Sequence, residues 1–255
     1  MSTVLNVNKK SISSLISVLL ITVSLVGCAG LGTKDPKAAD YNSELGVRYL
    51  QQGRLKLAND KLLKSLEQNP NSAQSNHYYA LLQERLEQPK KATLYFNKAI
   101  RLAPKDPELR NNYGSFLCKN NRPQAAVKQF LAAVKDPLYS TPEFAYTNAG
   151  ICLRKVNPAN PKAEEYFRLA LKKRASFPSA LLEMAKIYKD RNNYPKAQAF
   201  MLRYESVGKS SPDALHLCSV INSKMNNHAK ASSCQSTLLR LFPSSPEAEQ
   251  ISGSL

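Results

Sequence analysis

The chain is poor in the groups that do chemistry. Its 255 residues hold only three histidines, His77, His216 and His228. No paired carboxylates, Ser/His/Asp set or glycine-rich phosphate loop stands out among them. No catalytic residue, metal or cofactor is therefore assigned, and a non-enzymatic protein is expected. Acidic side chains are also scarce: Asp and Glu total 19 against 36 Lys and Arg, a formal charge of +17. Such a balance leaves nucleic acid, an anionic membrane or wall, or an acidic protein as partners, unless the cations are merely solvated on outward helix faces. Aromatics are few at 8%, yet 43% of the residues are hydrophobic. That suffices for one sizeable core or an extended array.

Long apolar runs are missing but for one. Lys9 and Lys10 precede a stretch from Ile12 to Val26 that is too short and too rich in serine for a comfortable transmembrane helix and suits the apolar region of a signal peptide. It ends in Leu25-Val26-Gly27-Cys28, which resembles the bacterial lipobox. The resemblance implies a signal peptide over 1–27, a lipidated Cys28 opening a tether over 28–38, and, with Ala29 after the cysteine, sorting to the periplasmic face of the outer membrane. Several acyl chains anchor firmly where one binds only marginally. A protein held there does not meet nucleic acid, so the basic surface points to an envelope partner.

After the tether the chain becomes periodic. Ala58, Ala92 and Ala126 are spaced by 34 residues, and so are Ala163, Ala197 and Ala231. Twelve residues before these alanines stand small residues: Gly46, Ala80, Gly114, Ala185 and Ser219, with Gly150 one place out of step. Four residues after them come bulky ones, Leu62, Phe96, Phe130, Phe167 and Met201, failing only at Gln235. Prolines mark joints at 70, 104, 178, 212 and 246. The pattern resembles the tetratricopeptide repeat and implies an all-α fold, a right-handed solenoid of about six helix-turn-helix repeats. The small residue on the first helix of each unit admits the bulky one of the second, and proline stops the second helix. The units are expected near 39–72, 73–106, 107–141, 142–177, 178–211 and 212–245, with a short C-terminal tail and a monomeric chain.

Two irregularities stand out. Pro104 to Pro178 spans 74 residues where two regular units take 68, so six inserted residues are expected in loops about the fourth repeat. One such loop, DPLYSTP at 136–142, carries an exposed-looking Tyr139 that either resets the stacking or offers a contact. The sixth repeat degenerates at Gln235, as a capping unit with a polar outer face would.

Cys118 and Cys152 fall on the first helices of adjacent repeats, and Cys218 and Cys234 on the two helices of the last. With Cys28 lipidated, four thiols remain, an even number that two disulfides require in an oxidising compartment; four buried free thiols are the alternative. A zinc set of His216, Cys218, His228 and Cys234 is disfavoured, because residues two apart on a helix point to different sides. For partner binding, the first-helix positions Val47, Leu50, His77, Leu81, Asn111, Ser115 and Ile151 are expected to line a groove, an apolar track beside hydrogen-bonding groups that suits an amphipathic helix or extended peptide.

The strings NNYGSFLC at 111–118 and DPLYSTPEFAYTNAGICL at 136–153 add specificity. On a six-repeat lipoprotein they resemble the PilF/PilW family of type IV pilus biogenesis and stability lipoproteins. The residues carrying the match include Asn111, Asn112, Tyr113, Gly114, Cys118, Tyr139, Tyr146, Asn148, Gly150 and Cys152. The resemblance implies a pilotin, a protein-binding scaffold that helps the pilus secretin localise and multimerise or stabilises the fibre. A scaffold for peptidoglycan-active enzymes or other envelope complexes is the alternative.

Overall fold

Proline sets the start of most helices, because its fixed φ and missing N–H cost nothing in a first turn. The computed structural model describes residues 35–252, and among them are thirteen helices and no strand. These are α1 (Pro36–Gln51), α2 (Leu55–Gln68), α3 (Ala73–Arg85), α4 (Pro89–Leu102), α5 (Pro107–Lys119), α6 (Pro123–Ala133), α7 (Pro142–Val156), α8 (Pro161–Lys173), α9 (Pro178–Asp190), α10 (Tyr194–Glu205), α11 (Pro212–Lys224), α12 (His228–Leu241) and α13 (Pro246–Ser252). None of the described helices is long and apolar enough to cross a membrane. Cys28 and the signal-like segment lie outside the described residues. The chain divides into two compact units at Tyr78/Tyr79.

In the first unit α1 starts at Pro36, where the Asp35 carboxylate accepts a hydrogen bond from the Ala38 amide at 3.1 Å and caps the helix. Gly46 presses on α2: a methyl group built on it would stand 2.6 Å from Leu62 Cγ. Polar side chains finish the packing. The buried Ser65 hydroxyl donates to the Ala39 carbonyl at 2.7 Å and meets the Ser75 hydroxyl at 2.7 Å, and Asn42 donates to Gln68 Oε1 at 2.9 Å.

The second unit repeats the same device. A Cβ on Gly114 would lie 2.6 Å from the Phe130 ring, and one on Gly150 would lie 2.5 Å from Phe167. Around these contacts Phe96, Leu109, Phe116, Leu117 and Phe130 form one buried cluster, and Phe167, Leu181, Met184, Met201 and Ile221 another. The C-terminal tail is not loose. It forms α13, whose Ala248 and Ile251 cover Leu238 and close the end of the stack.

The out-of-step Gly150 has a backbone explanation. Within a repeat, most pairs are joined by three residues, of which the middle one is left-handed: Gly53, Glu87, Asn121, Asn192 and Asn226 all have φ between 55° and 73°. Asparagine and glycine suit that region and explain the Asn-Asn pairs at 192–193 and 226–227, where the second Asn caps the next helix through Lys196 or Lys230. The fourth repeat has Pro158 at the turn, and proline cannot take a positive φ. Its turn runs over four residues, 157–160, with the Asn157 side chain accepting from the Ala159 amide at 3.0 Å. One residue of displacement results.

The same comparison corrects the size of the insertion. Pro104 lies in a turn, whereas Pro178 is a helix N-terminus, so the two do not mark equivalent places. Equivalent alanines, Ala126 and Ala163, are 37 residues apart where the others are 34, so three residues are inserted and not six. One enters the 157–160 turn and the others precede Gly150, where α6 and α7 are joined by residues 134–141.

Because a methyl group cannot fit between α5 and Phe130, Gly114→Ala is expected to destabilise the protein by about 1–3 kcal/mol in urea unfolding. Adding Phe130→Leu should recover part of that loss, whereas no recovery would place the strain elsewhere.

Candidate partner-binding surface

The first helices carry the expected groove positions, and the structure treats them unequally. In the first unit Val47 and Leu50 are half-buried on α1, one turn apart. His77 departs from the expectation: it is only 5% exposed, so it is not an open site for a partner. Its neighbour in the chain, Asn76, is tied to the Pro70 and Ser72 carbonyls. In the second unit Leu81 also packs inward, against the cluster of Phe96 and Tyr113.

Asn111, Ser115 and Ile151 come together. Asn148 Nδ2 donates to Asn111 Oδ1 at 3.1 Å and approaches the Ser115 hydroxyl at 3.5 Å, which joins α5 to α7 through a polar bridge at the surface. Ile151 is 40% exposed and Phe144, seven residues earlier on α7, 43%. Seven residues are two turns, so both side chains stand on one helix face with Asn148 between them. Phe144 rests edge-on against the buried Phe177 ring at 4.7 Å, which holds it in place with its other side open.

The 134–141 segment supplies the third apolar group, and it differs from the sequence expectation. Tyr139 is drawn in against the core of the second unit, and burial raises its pKa. Leu138 turns outward instead and is 89% exposed. The turn is built, with the Tyr139 amide donating to the Asp136 carbonyl and the Leu138 amide to the Asp136 carboxylate at 2.8 Å. A shallow cavity of about 420 Å³ lies beneath, lined by Glu108, Asn111, Asn112, Leu138, Tyr139 and Phe144 among others. Asn111 therefore belongs both to the groove positions and to the loop, which the sequence presents as separate candidates. Leu138, Phe144 and Asn148 were not among the expected groove residues; the i, i+7 spacing of Phe144 and Ile151 is the signal that finds Phe144 and Asn148, whereas no helical spacing finds Leu138, which lies before α7.

Farther along, the first-helix faces are closed by charge. Arg154 on α7 donates to Glu183 at 2.5 Å and to Asp190 at 2.8 Å on α9. Lys186, which follows Ala185 as Ile151 follows Gly150, bridges Glu183 and Asp213 at 2.7 and 2.6 Å. Burial works against its charge, yet the two carboxylates hold its pKa above the ordinary lysine value. The apolar track of the first helices is thus interrupted at α9.

The structure joins Cys118 on α5 to Cys152 on α7, with 5.8 Å between their Cα atoms, and Cys218 on α11 to Cys234 on α12. The second bond sits one residue before Ser219 and Gln235, the pair that lacks a bulky contact. Glu205 lies within ligand distance of Cys218 and Cys234, but their sulfurs are spent in a disulfide, and a thiolate is what zinc requires.

The comparisons with known proteins agree with this architecture. Tetratricopeptide-repeat patterns match residues 43–107 and 95–128. The type IV pilus assembly protein PilF of Pseudomonas aeruginosa is 31% identical over 243 residues, which cover 91% of this chain and 95% of that protein. The solved structure of Pseudomonas aeruginosa PilF superposes with a TM-score of 0.76 at 29% identity, over 86% of this chain and 98% of that one. That of PilW, described as a widely conserved type IV pilus biogenesis factor, gives 0.74 at 28%, over 84% and 97%.

Two outcomes follow for stability. Loop-closure entropy gives the Cys118–Cys152 bond, with 34 residues of separation, about 4 kcal/mol. Cys118→Ser/Cys152→Ser should therefore unfold at clearly lower urea, and thiol reductant should shift the native protein but not further the bond-specific part in this variant. Glu164 on α8 is partly buried, which favours its neutral form, but bonds from Arg168, Arg191 and Tyr188 outweigh this and hold its pKa below the ordinary 4.5. Its stabilisation is present above that value and is lost as pH falls through the depressed one. Glu164→Gln should melt lower at pH 7 and show a shallower acid-side decline, measured by melting temperature against pH.

Proposed function

Since the chain belongs to the PilF/PilW family of type IV pilus assembly proteins, we propose that it is a lipid-anchored envelope scaffold that holds a segment of the pilus secretin and promotes its localisation and multimerisation. Cys28 would carry the acyl chains, the segment between Cys28 and α1 would give reach, and the outer membrane would be the destination. The observation that carries the reading is the line of Leu138, Phe144 and Ile151 beside the Asn111–Asn148 bridge. Apolar anchors two turns apart, with amide groups between them, fit an amphipathic helix or extended segment of another protein: the anchors give affinity and the amides give register. The disulfide between α5 and α7 supports this use, because it keeps the two helices that carry the polar bridge from sliding apart.

The reading is tested with the full chain in cells lacking their own copy. Ile151→Asp or Phe144→Asp should reduce secretin multimers in the outer membrane at least about tenfold, as loss of a central apolar anchor does, while the variant accumulates and folds normally. Normal multimers with either variant would move the site elsewhere. Copurification of wall enzymes without any pilus defect would favour the peptidoglycan scaffold instead.

A further inference from the structure

We propose that the outward faces of α4 and α6 form a docking surface for a bilayer containing anionic phospholipid, separate from the partner-binding face and independent of the Cys28 anchor. No acidic residue occurs between Glu87 and Asp106, nor between Glu108 and Asp136. Within these stretches Ala92, Phe96 and Ala99 are the buried side of α4, and Lys90, Lys98 and Arg101 fall on the opposite side at helical spacing. Lys128 takes the outward side of α6, opposite Ala126 and Phe130. Lys105, just past α4, and Lys135, just past α6, line one cavity of about 500 Å³ together with Arg110 and Asp136, so the ends of the two helices meet there.

These cations are not spent internally. The ion pairs of the described residues join Lys119 to Glu84 and otherwise lie from α7 to α12; none includes these six side chains. Of the four acids that bound the stretches, the two aspartates are occupied by backbone. Asp106 accepts from the Leu109 amide at 3.0 Å and Asp136 from that of Leu138. By contrast, α8 carries Glu164, which takes up Arg168 and Arg191.

An apolar residue decides between partners. Leu94 stands in the middle of the α4 stripe and is 60% exposed, with Leu102 at its edge. A leucine among lysines gains little from a sugar–phosphate backbone or from an acidic polypeptide that carries no apolar side chains. At a bilayer it reaches the acyl boundary while the surrounding ammonium and guanidinium groups meet phosphate, which is the arrangement of a helix lying in the interface plane.

The full chain is reconstituted into vesicles of phosphatidylcholine alone or mixed with phosphatidylglycerol, and lysine acetylation is followed by mass spectrometry. Lys90, Lys98, Lys105, Lys128 and Lys135 should react at least about threefold more slowly on the anionic vesicles, while Lys172 and Lys173 on α8 are unchanged. High salt should remove most of the protection. Lys98→Glu/Arg101→Glu should abolish it, and Leu94→Ser should weaken it without changing any charge. Equal reactivity on the two vesicles, full protection in Leu94→Ser, or stronger protection by soluble polyglutamate or duplex DNA than by anionic vesicles would overturn the proposal.

Discussion

Close approach of two helices at a residue without a side chain is the constraint on which the rest depends. Gly46, Gly114 and Gly150 leave room that Leu62, Phe130 and Phe167 fill, and a single methyl group would collide in each case. Where glycine is replaced by Ala80 or Ala185 the facing residues are Phe96 and Met201, buried at the same place in the unit. The apolar stripe of each helix is narrow, so this one interlocking contact fixes the separation and rotation of the pair, and thereby which residues face outward. In the sixth pair the bulky partner has become Gln235, and the bond between Cys218 and Cys234 ties the helices beside it.

The irregular joint before α7 is where the packing rule gives way and where the surface becomes distinctive. After α7, proline at 158 forbids the left-handed turn used elsewhere; before it, the longer 134–141 connection draws Tyr139 inward. Leu138 is expelled as a consequence, close to Phe144 and to the Asn111–Asn148 bridge. A departure from the repeat thus adds Leu138 to the exposed apolar groups Phe144 and Ile151.

Charge divides the rest of the second unit. Between α7 and α11, arginine and lysine are matched by carboxylates at 2.5–2.8 Å, so that face is self-neutralised. On α4 and α6 the acids are absent, and the cations are exposed apart from the half-buried Lys98. The excess charge of the chain is therefore not an even coating, and the two faces invite different kinds of contact.

The sequence by itself determined the helical class, the period and the small-and-bulky contact, because these recur at 34 residues and repetition makes a weak local signal strong. The family was legible from the string around Asn111, Gly114, Asn148 and Gly150, and the even set of four cysteines placed two bonds on neighbouring helices. Only the tertiary structure decided which groove positions are open. His77 and Leu81 share the repeat positions of Asn111 and Ser115, yet they turn inward, while Ile151 does not. It also decided that Tyr139 packs against the core while Leu138 is surface, and that Pro104 and Pro178 do not mark equivalent places. Exposure of this kind depends on what the neighbouring helix brings against a side chain, and that information is carried by residues 30 or more positions away rather than by the local pattern.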